Sequence, residues 1–181
     1  MSLPQHEEIL TPRLALIAIT PETLRSEQAG DNQLGELIGC KIPSNWPPVD
    51  WEPHVLATLL EQYEHYPEQI GWHRYTAFLN PDGSRTLIGS LGALYRENSP
   101  AECEIGYSIL PPFEGRGLAT EGTRALIELI RRDRRIASVI AHTFPRLQAS
   151  IRIMEKCGLQ FEGPGEEAGT IRYRLRLRDG G

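Results

Sequence analysis

No apolar run in this chain approaches the roughly 18–20 residues that a membrane-spanning helix needs, so no such span is expected. Cysteine is scarce. Cys40, Cys103 and Cys157 are an odd number at wide spacing, with neither the intervals of a zinc site nor a disulfide framework, so reduced thiols in a cytoplasmic protein are expected. Positive charge is not in excess either: Lys+Arg number 19 against 24 Asp+Glu, a formal net charge of −5 that argues against a dedicated nucleic-acid binder. The opening MSLPQHEEIL lacks a basic segment ahead of an apolar run and does not read as a secretory signal. Internal repeats, low-complexity tracts and linker-like stretches are also missing. What is present is an ordinary globular composition, 40% hydrophobic and 24% charged over 181 residues, for which one domain spanning 1–181 is the natural expectation.

Elements alternate along the chain. PRLALIAIT (12–20) reads as a strand, and Thr20 followed by Pro21 as a helix start. The proline-rich loop CKIPSNWPPVD (40–50) precedes WEPHVLATLLEQYEHY, whose apolar residues at 51, 55, 56, 59, 60, 63 and 66 make an amphipathic helix with Asp50 as a candidate cap. A hairpin follows, with strands at 73–79 and about 86–96 joined by the turn NPDGS. CEIGYSIL (103–110) is a strand stopped by Pro111, and a helix runs from about 118. SVIAHTFP (138–145) is a strand and LQASIRIMEKCG (147–158) a helix ended by Gly158; strands at 159–163 and 170–178 close the chain. Antiparallel strands thus come first, then a strand–helix–strand unit that must be parallel. The basic stretches RRDRR (131–135) and RYRLRLR (172–178) read as a cationic helix end and a solvated strand face, with an acidic ligand as the alternative.

The stretch LPPFEGRGLATEG (110–122) is unusual in crowding glycines directly ahead of a helix. Unpaired N–H groups at a helix start, approached without intervening Cβ atoms and with Arg116 beside them, make an anion site; a plain tight turn is the alternative. The spacing is not a dinucleotide fingerprint, because Thr120 stands at the third glycine place, and it is not a P-loop.

EIGYSILPPFEGRGLATEGTRALI, followed by AHTFPRLQASIRIMEKCGLQFEG and preceded far upstream by TPRLALIAIT, resembles the GNAT superfamily of acetyl-CoA-dependent N-acetyltransferases, of the ribosomal-protein RimJ/RimL-like type. The resemblance covers the first strand and nearly all of 86–163; 40–72 carries none. It implies a mixed α/β fold: a central, mostly antiparallel sheet with one splayed parallel strand pair and helices on both faces. The family's loop Q/R-x-x-G-x-G/A wraps the coenzyme A pyrophosphate, which falls here on Glu114, Gly115, Arg116, Gly117, Leu118 and Ala119, with Thr120 next. Glu114 departs from the family's Gln or Arg and is expected to face water. The pantetheine arm would pair with the strand edge at Ser108, Ile109 and Leu110, with a main-chain N–H near Ile109 meeting the thioester oxygen as negative charge develops. Leu147 replaces a frequent Asn, and Met154 a frequent Tyr acid. Ser150 is the resemblance's candidate for protonating the leaving thiolate, and a first-turn helix hydroxyl serving the backbone is its other reading.

The acceptor's proton needs a base. On the strand around 102–110 the even positions Glu102, Glu104, Gly106 and Ser108 form a polar face, and Glu104 is the better candidate because it lies deeper; a salt-bridged glutamate, His142 and water are the alternatives. An α-amine is roughly 10% neutral at pH 7 and a lysine only about once in 2,500, so a modestly basic amine is mildly favoured. Trp46, outside the helical stripe, is the candidate acceptor-binding aromatic. The expected function is acetyl transfer from acetyl-CoA to an amine by direct attack in a ternary complex, with no metal, no nucleic-acid or membrane partner, and a monomer or homodimer. A non-catalytic acyl-CoA-binding module is the alternative.

Overall fold

The computed structural model describes residues 7–30, 32–49, 51, 53–96 and 98–178. The candidate cap Asp50 lies outside them. Eight strands form one mixed sheet in the order β1-β2-β3-β4-β5-β6-β8-β7. They are β1 (Ile9–Leu10), β2 (Leu14–Ala18), β3 (His73–Leu79), β4 (Arg85–Tyr95), β5 (Glu102–Ile109), β6 (Ser138–Thr143), β7 (Gln160–Pro164) and β8 (Ile171–Arg176). The helices are α1 (Pro21–Ala29), α2 (Leu34–Ile38), α3 (Pro53–His65), α4 (Leu118–Ile130) and α5 (Gln148–Lys156). The chain divides into two compact bodies, Met1–Gly92 with Tyr107–Gly122 and Ala93–Gly106 with Thr123–Gly181.

In the first body β1, β2, β3 and β4 run antiparallel. Thr20 caps α1 through a reciprocal pair: Thr23 N–H donates to Thr20 Oγ1 at 3.3 Å and Thr20 N–H to Thr23 Oγ1 at 3.0 Å. Such a cap is worth about 1 kcal/mol. The α3 stripe buries Leu56, Leu59 and Tyr63 beside Trp51, with Val55 and Leu60 against the same cluster, while Tyr66 is exposed. Fully burying a side chain such as Leu24 contributes about 1.5–3 kcal/mol, so this cluster fixes where α1 and α3 lie. The short helix α2 stands in a stretch the sequence reading left unassigned, and Ile38 is one of its two buried residues.

The second body contains the parallel pair, β5 with β6, joined in sequence by α4. Its ladder is short: Glu102, Cys103 and Glu104 face Ser138, Val139 and Ile140. β6 instead pairs with β8 along Ser138–Thr143, and β8 with β7. The two basic stretches differ: Arg132, Arg134 and Arg135 are exposed, whereas arginines of β8 are paired. Helix α4 stops at Ile130, before RRDRR, because Asp133 folds inward: it is buried and accepts from Tyr95 Oη at 2.5 Å and from Arg135. On β8, Arg172 and Arg174 are held by Glu102 and Glu162, and Arg178 donates to the carbonyls of Asp133 and Ile136. The strand face that looked free is met by carboxylates from β5 and β7.

Candidate active site

The glycine loop belongs to the first body. A 3-10 turn over Pro111–Phe113 ends at Glu114, which is exposed, and Gly115 and Gly117 then take φ of 70° and 77°. These are left-handed values that favour glycine. A Cβ on Gly115 would have no atom within 4 Å, so the space above it is open. Leu118 opens α4 and is 1% exposed, and Thr120 is also buried, so both side chains pack inward.

This loop is braced from the sheet. Arg13 donates from Nη1 to the Arg116 carbonyl at 2.9 Å and pairs with Glu121 in the first turn of α4, Nε to Oε2 at 2.7 Å. Thr11 Oγ1 donates to Glu121 Oε1 at 2.7 Å. Burial acts to raise the Glu121 carboxyl, but the bonds from Thr11 and Arg13 outweigh it and hold it below the usual glutamate value. Arg116 lies over the rings of Phe78 and Phe113, at 4.8 and 5.6 Å, which keeps a cation beside the loop. Gly122 lets α4 sit against β2 and β4, since a Cβ there would meet Leu91 Cδ2 at 2.7 Å and Leu14 Cδ1 at 3.5 Å.

The end of β5 is set by β4. Leu110 N–H donates to the Ile88 carbonyl at 2.7 Å, and the register of β4 shifts at Ile88. That N–H is therefore taken, and the strand's alternation turns the N–H and carbonyl of Ile109 to the opposite edge. A Cβ on Gly89 would collide with the Ser108 carbonyl and come within 2.9 Å of Ile109 Cδ1, so glycine is what permits this approach. Ser108 Oγ donates to the Val49 carbonyl at 2.8 Å. Trp46, in the same loop, is half-buried; its Nε1 donates to Glu27 Oε1 at 2.7 Å and its ring lies edge-on to Tyr75 at 6.1 Å. It is tied into the core cluster more firmly than a loop position suggested.

Glu104 lies in the second body with its two oxygens divided. Oε1 is 2.7 Å from His142 Nδ1 and Oε2 accepts from Arg96 Nη1 at 3.0 Å. A carboxylate only accepts, so His142 carries a proton on Nδ1. Its Nε2 is buried and meets no hydrogen-bond partner among the described residues. Arg96 also pairs with Glu166. Glu102 is engaged differently, by Arg172 and Arg174, which leaves it occupied in β8's ion pairs. Ser150 occupies the first turn of α5 and is half-buried. Leu147, at the cap, is exposed, and Met154 is 2% exposed, so its side chain is packing. Burial pushes the thiols of Cys40, Cys103 and Cys157 up to about 11, 12 and 11, which disfavours thiolate nucleophiles. The sequence reading missed Arg96 and Glu166; each lies in a turn or beside one, without a motif to mark it.

The sheet thus has one short parallel pair, and its crossover helix opens on a braced glycine loop. The acetyltransferase (GNAT) domain profile matches residues 23–160, and the chain belongs to that family. The curated FsC-acetyl coenzyme A-N(2)-transacetylase of Aspergillus fumigatus is 32% identical over 82 residues, 40% of this chain and only 35% of that protein. Similar folds include RimL, a ribosomal-protein alpha-N acetyltransferase in complex with coenzyme A, at 15% identity, TM-score 0.64, covering 94% of this chain and 98% of that one. The microcin self-immunity acetyltransferase MccE in complex with acetyl-CoA and AMP gives 14%, 0.63, 97% and 98%. The spermidine N-acetyltransferase SpeG of Vibrio cholerae, in a mutant form, gives 17%, 0.57, 93% and 95%.

Proposed function

We propose that this chain transfers the acetyl group of acetyl-CoA to an amine by direct attack, all of residues 1–181 serving as one catalytic domain. The observation that carries this is the loop at Gly115 and Gly117: two left-handed glycines, open space above the first, and a brace from Arg13 and Glu121 that holds the start of α4 in place. Main-chain N–H groups from Gly115 to Thr120 hold the pyrophosphate, with Arg116 as a nearby cation. Glu114 stays in water, away from that charge. The arm pairs with the edge of β5 at Ser108 and Ile109, and Ile109 N–H stabilises the oxyanion. The Leu110 N–H, bonded to Ile88, takes no part.

Glu104 receives the acceptor's proton, directly or through water, with His142 and Arg96 orienting it. Ser150 returns a proton to the departing thiolate. Trp46 borders the acceptor side, and a cytoplasmic monomer or homodimer of the RimJ/RimL-like type is the reading that accompanies this assignment. Its support is the TPRL start of the first strand together with the RimL-like fold. The amine-bearing acceptors named for SpeG and RimL support an amine without choosing between a polyamine and a protein α-amine. Thiol release from acetyl-CoA tests the proposal, using peptide α-amines, polyamines, lysine peptides and aminoglycosides. Release that depends on one amine class, with an acetylated product by mass, is expected; binding of acetyl-CoA without amine-dependent release under any class would leave a binding module.

A further inference from the structure

A second feature of the first body shares only Trp46 with the machinery above. A cavity of about 660 Å³ is walled by α1, α2 and the loop reaching Trp46, and none of residues 108–120 lines it. Its charged lining among the described residues is Glu27 and Glu36, with no Lys, Arg or His. Gly30, where α1 ends with no basic residue in its last turn, adds the electronegative end of that helix. Leu34, Ile42 and Trp46 supply an apolar wall.

Glu27 is held in place by three side-chain donors. Its Oε1 accepts from Trp46 Nε1 at 2.7 Å and Trp51 Nε1 at 2.9 Å, and its Oε2 from Tyr75 Oη at 2.7 Å. Trp51 and Tyr75 are 6% and 0% exposed, so the carboxylate is fixed from behind by rigid donors. All three donors are neutral, and no ion pair to Glu27 forms among the described residues. Oε2 retains an acceptor site. A held carboxylate, partly removed from water and lacking a countercharge, gains most from a cation.

We propose that this cavity is a binding site for an organic ammonium ion, its nitrogen on Glu27 and its alkyl stem against Trp46, Leu34 and Ile42. The volume suits a small organic ligand, and an indole face adds attraction for the cation. A bare divalent metal ion is the poorer match, because it requires six or more oxygens and this wall is largely apolar. Val49, three residues beyond Trp46 and so within about 11 Å of chain, accepts from Ser108 at the end of β5. The ammonium ion is therefore either part of the acetyl acceptor or a separate effector held beside it.

Calorimetry of the full chain without acetyl-CoA, titrated with 1,5-diaminopentane and with its neutral analogue 1,5-pentanediol, tests the site independently of acetyl transfer. Saturable binding of the diamine and none of the diol are expected. Glu27→Gln, whose amide oxygen still accepts from both indoles, should weaken the diamine at least tenfold. Glu36→Lys, on the exposed wall, should abolish binding without touching the network behind Glu27. Equal binding of diol and diamine, or diamine affinity unchanged in both variants, would overturn the proposal. With acetyl-CoA added, acetylation of the bound diamine assigns the site to the acceptor, and its persistence unmodified assigns it to an effector. Loss of transfer with every amine while diamine binding survives would sink the enzymatic reading and leave this site standing.

Discussion

Replacing Gly115 by alanine separates a ligand cradle from a mere turn. The residue sits at φ 70°, where an L side chain costs about 1–2 kcal/mol. For a chain of this size that lowers the melting temperature by roughly 2–8 °C. Gly83, in the NPDGS turn, supplies the matched control: its φ is 83°, and a Cβ there, as at Gly115, has no atom within 4 Å. The two alanine variants should therefore lose similar stability by calorimetry. Their ligand behaviour should diverge. A methyl on Gly115 enters the open space above the loop, so acetyl-CoA affinity should fall at least tenfold, about 1.4 kcal/mol, whereas Gly83→Ala should bind as the wild type does. Titration calorimetry of both folded variants decides the matter. Equal affinity in the two would refute the claim that this loop admits the donor.

Glu104→Gln should lower kcat by about 10²-fold and remove the acidic limb of the pH–rate profile while acetyl-CoA affinity holds; unaltered turnover would move the base elsewhere. Gly89→Ala should displace Ser108 and Ile109, because backbone atoms cannot yield as a flexible side chain does; a loss of about 1–3 kcal/mol with a several-fold rise in acetyl-CoA KM is expected from melting and steady-state kinetics. Burial pushes the His73 imidazole from 6.5 down to about 4, so its neutral form is the folded one. Its contribution is complete above the unfolded value and is lost as pH falls toward 4, up to about 3 kcal/mol, so the melting temperature of His73→Gln should fall less than wild type between about pH 7 and 5. Trp46→Phe keeps a ring but loses the bond to Glu27, and should cost about 1 kcal/mol of stability on thermal melting; no loss would mean that this bond is not made in solution.

Local chemistry was legible, and contacts between distant segments were not. The Thr20–Pro21 start, a glycine loop directly ahead of α4 and the alternation along β5 follow from neighbours in sequence, and each appears in the structure. The polar face of β5 follows from alternation, which tells which side a residue takes and says nothing of what comes to meet it. Arg96, His142, Arg172 and Arg174 meet that face through the fold. The same limit explains β8, whose alternating arginines looked solvated. The helix α2 is too short for a 3.6-residue period to show, and Trp46 was placed by its loop position when its indole N–H had a carboxylate to satisfy on α1.

A crystal structure with coenzyme A bound addresses the central claim directly. Pyrophosphate oxygens within about 3 Å of main-chain N–H groups between Gly115 and Thr120, with the thiol end at the Ile109 edge of β5, are the predicted result. Pyrophosphate density away from this loop, or an arm that does not reach β5, would contradict the account.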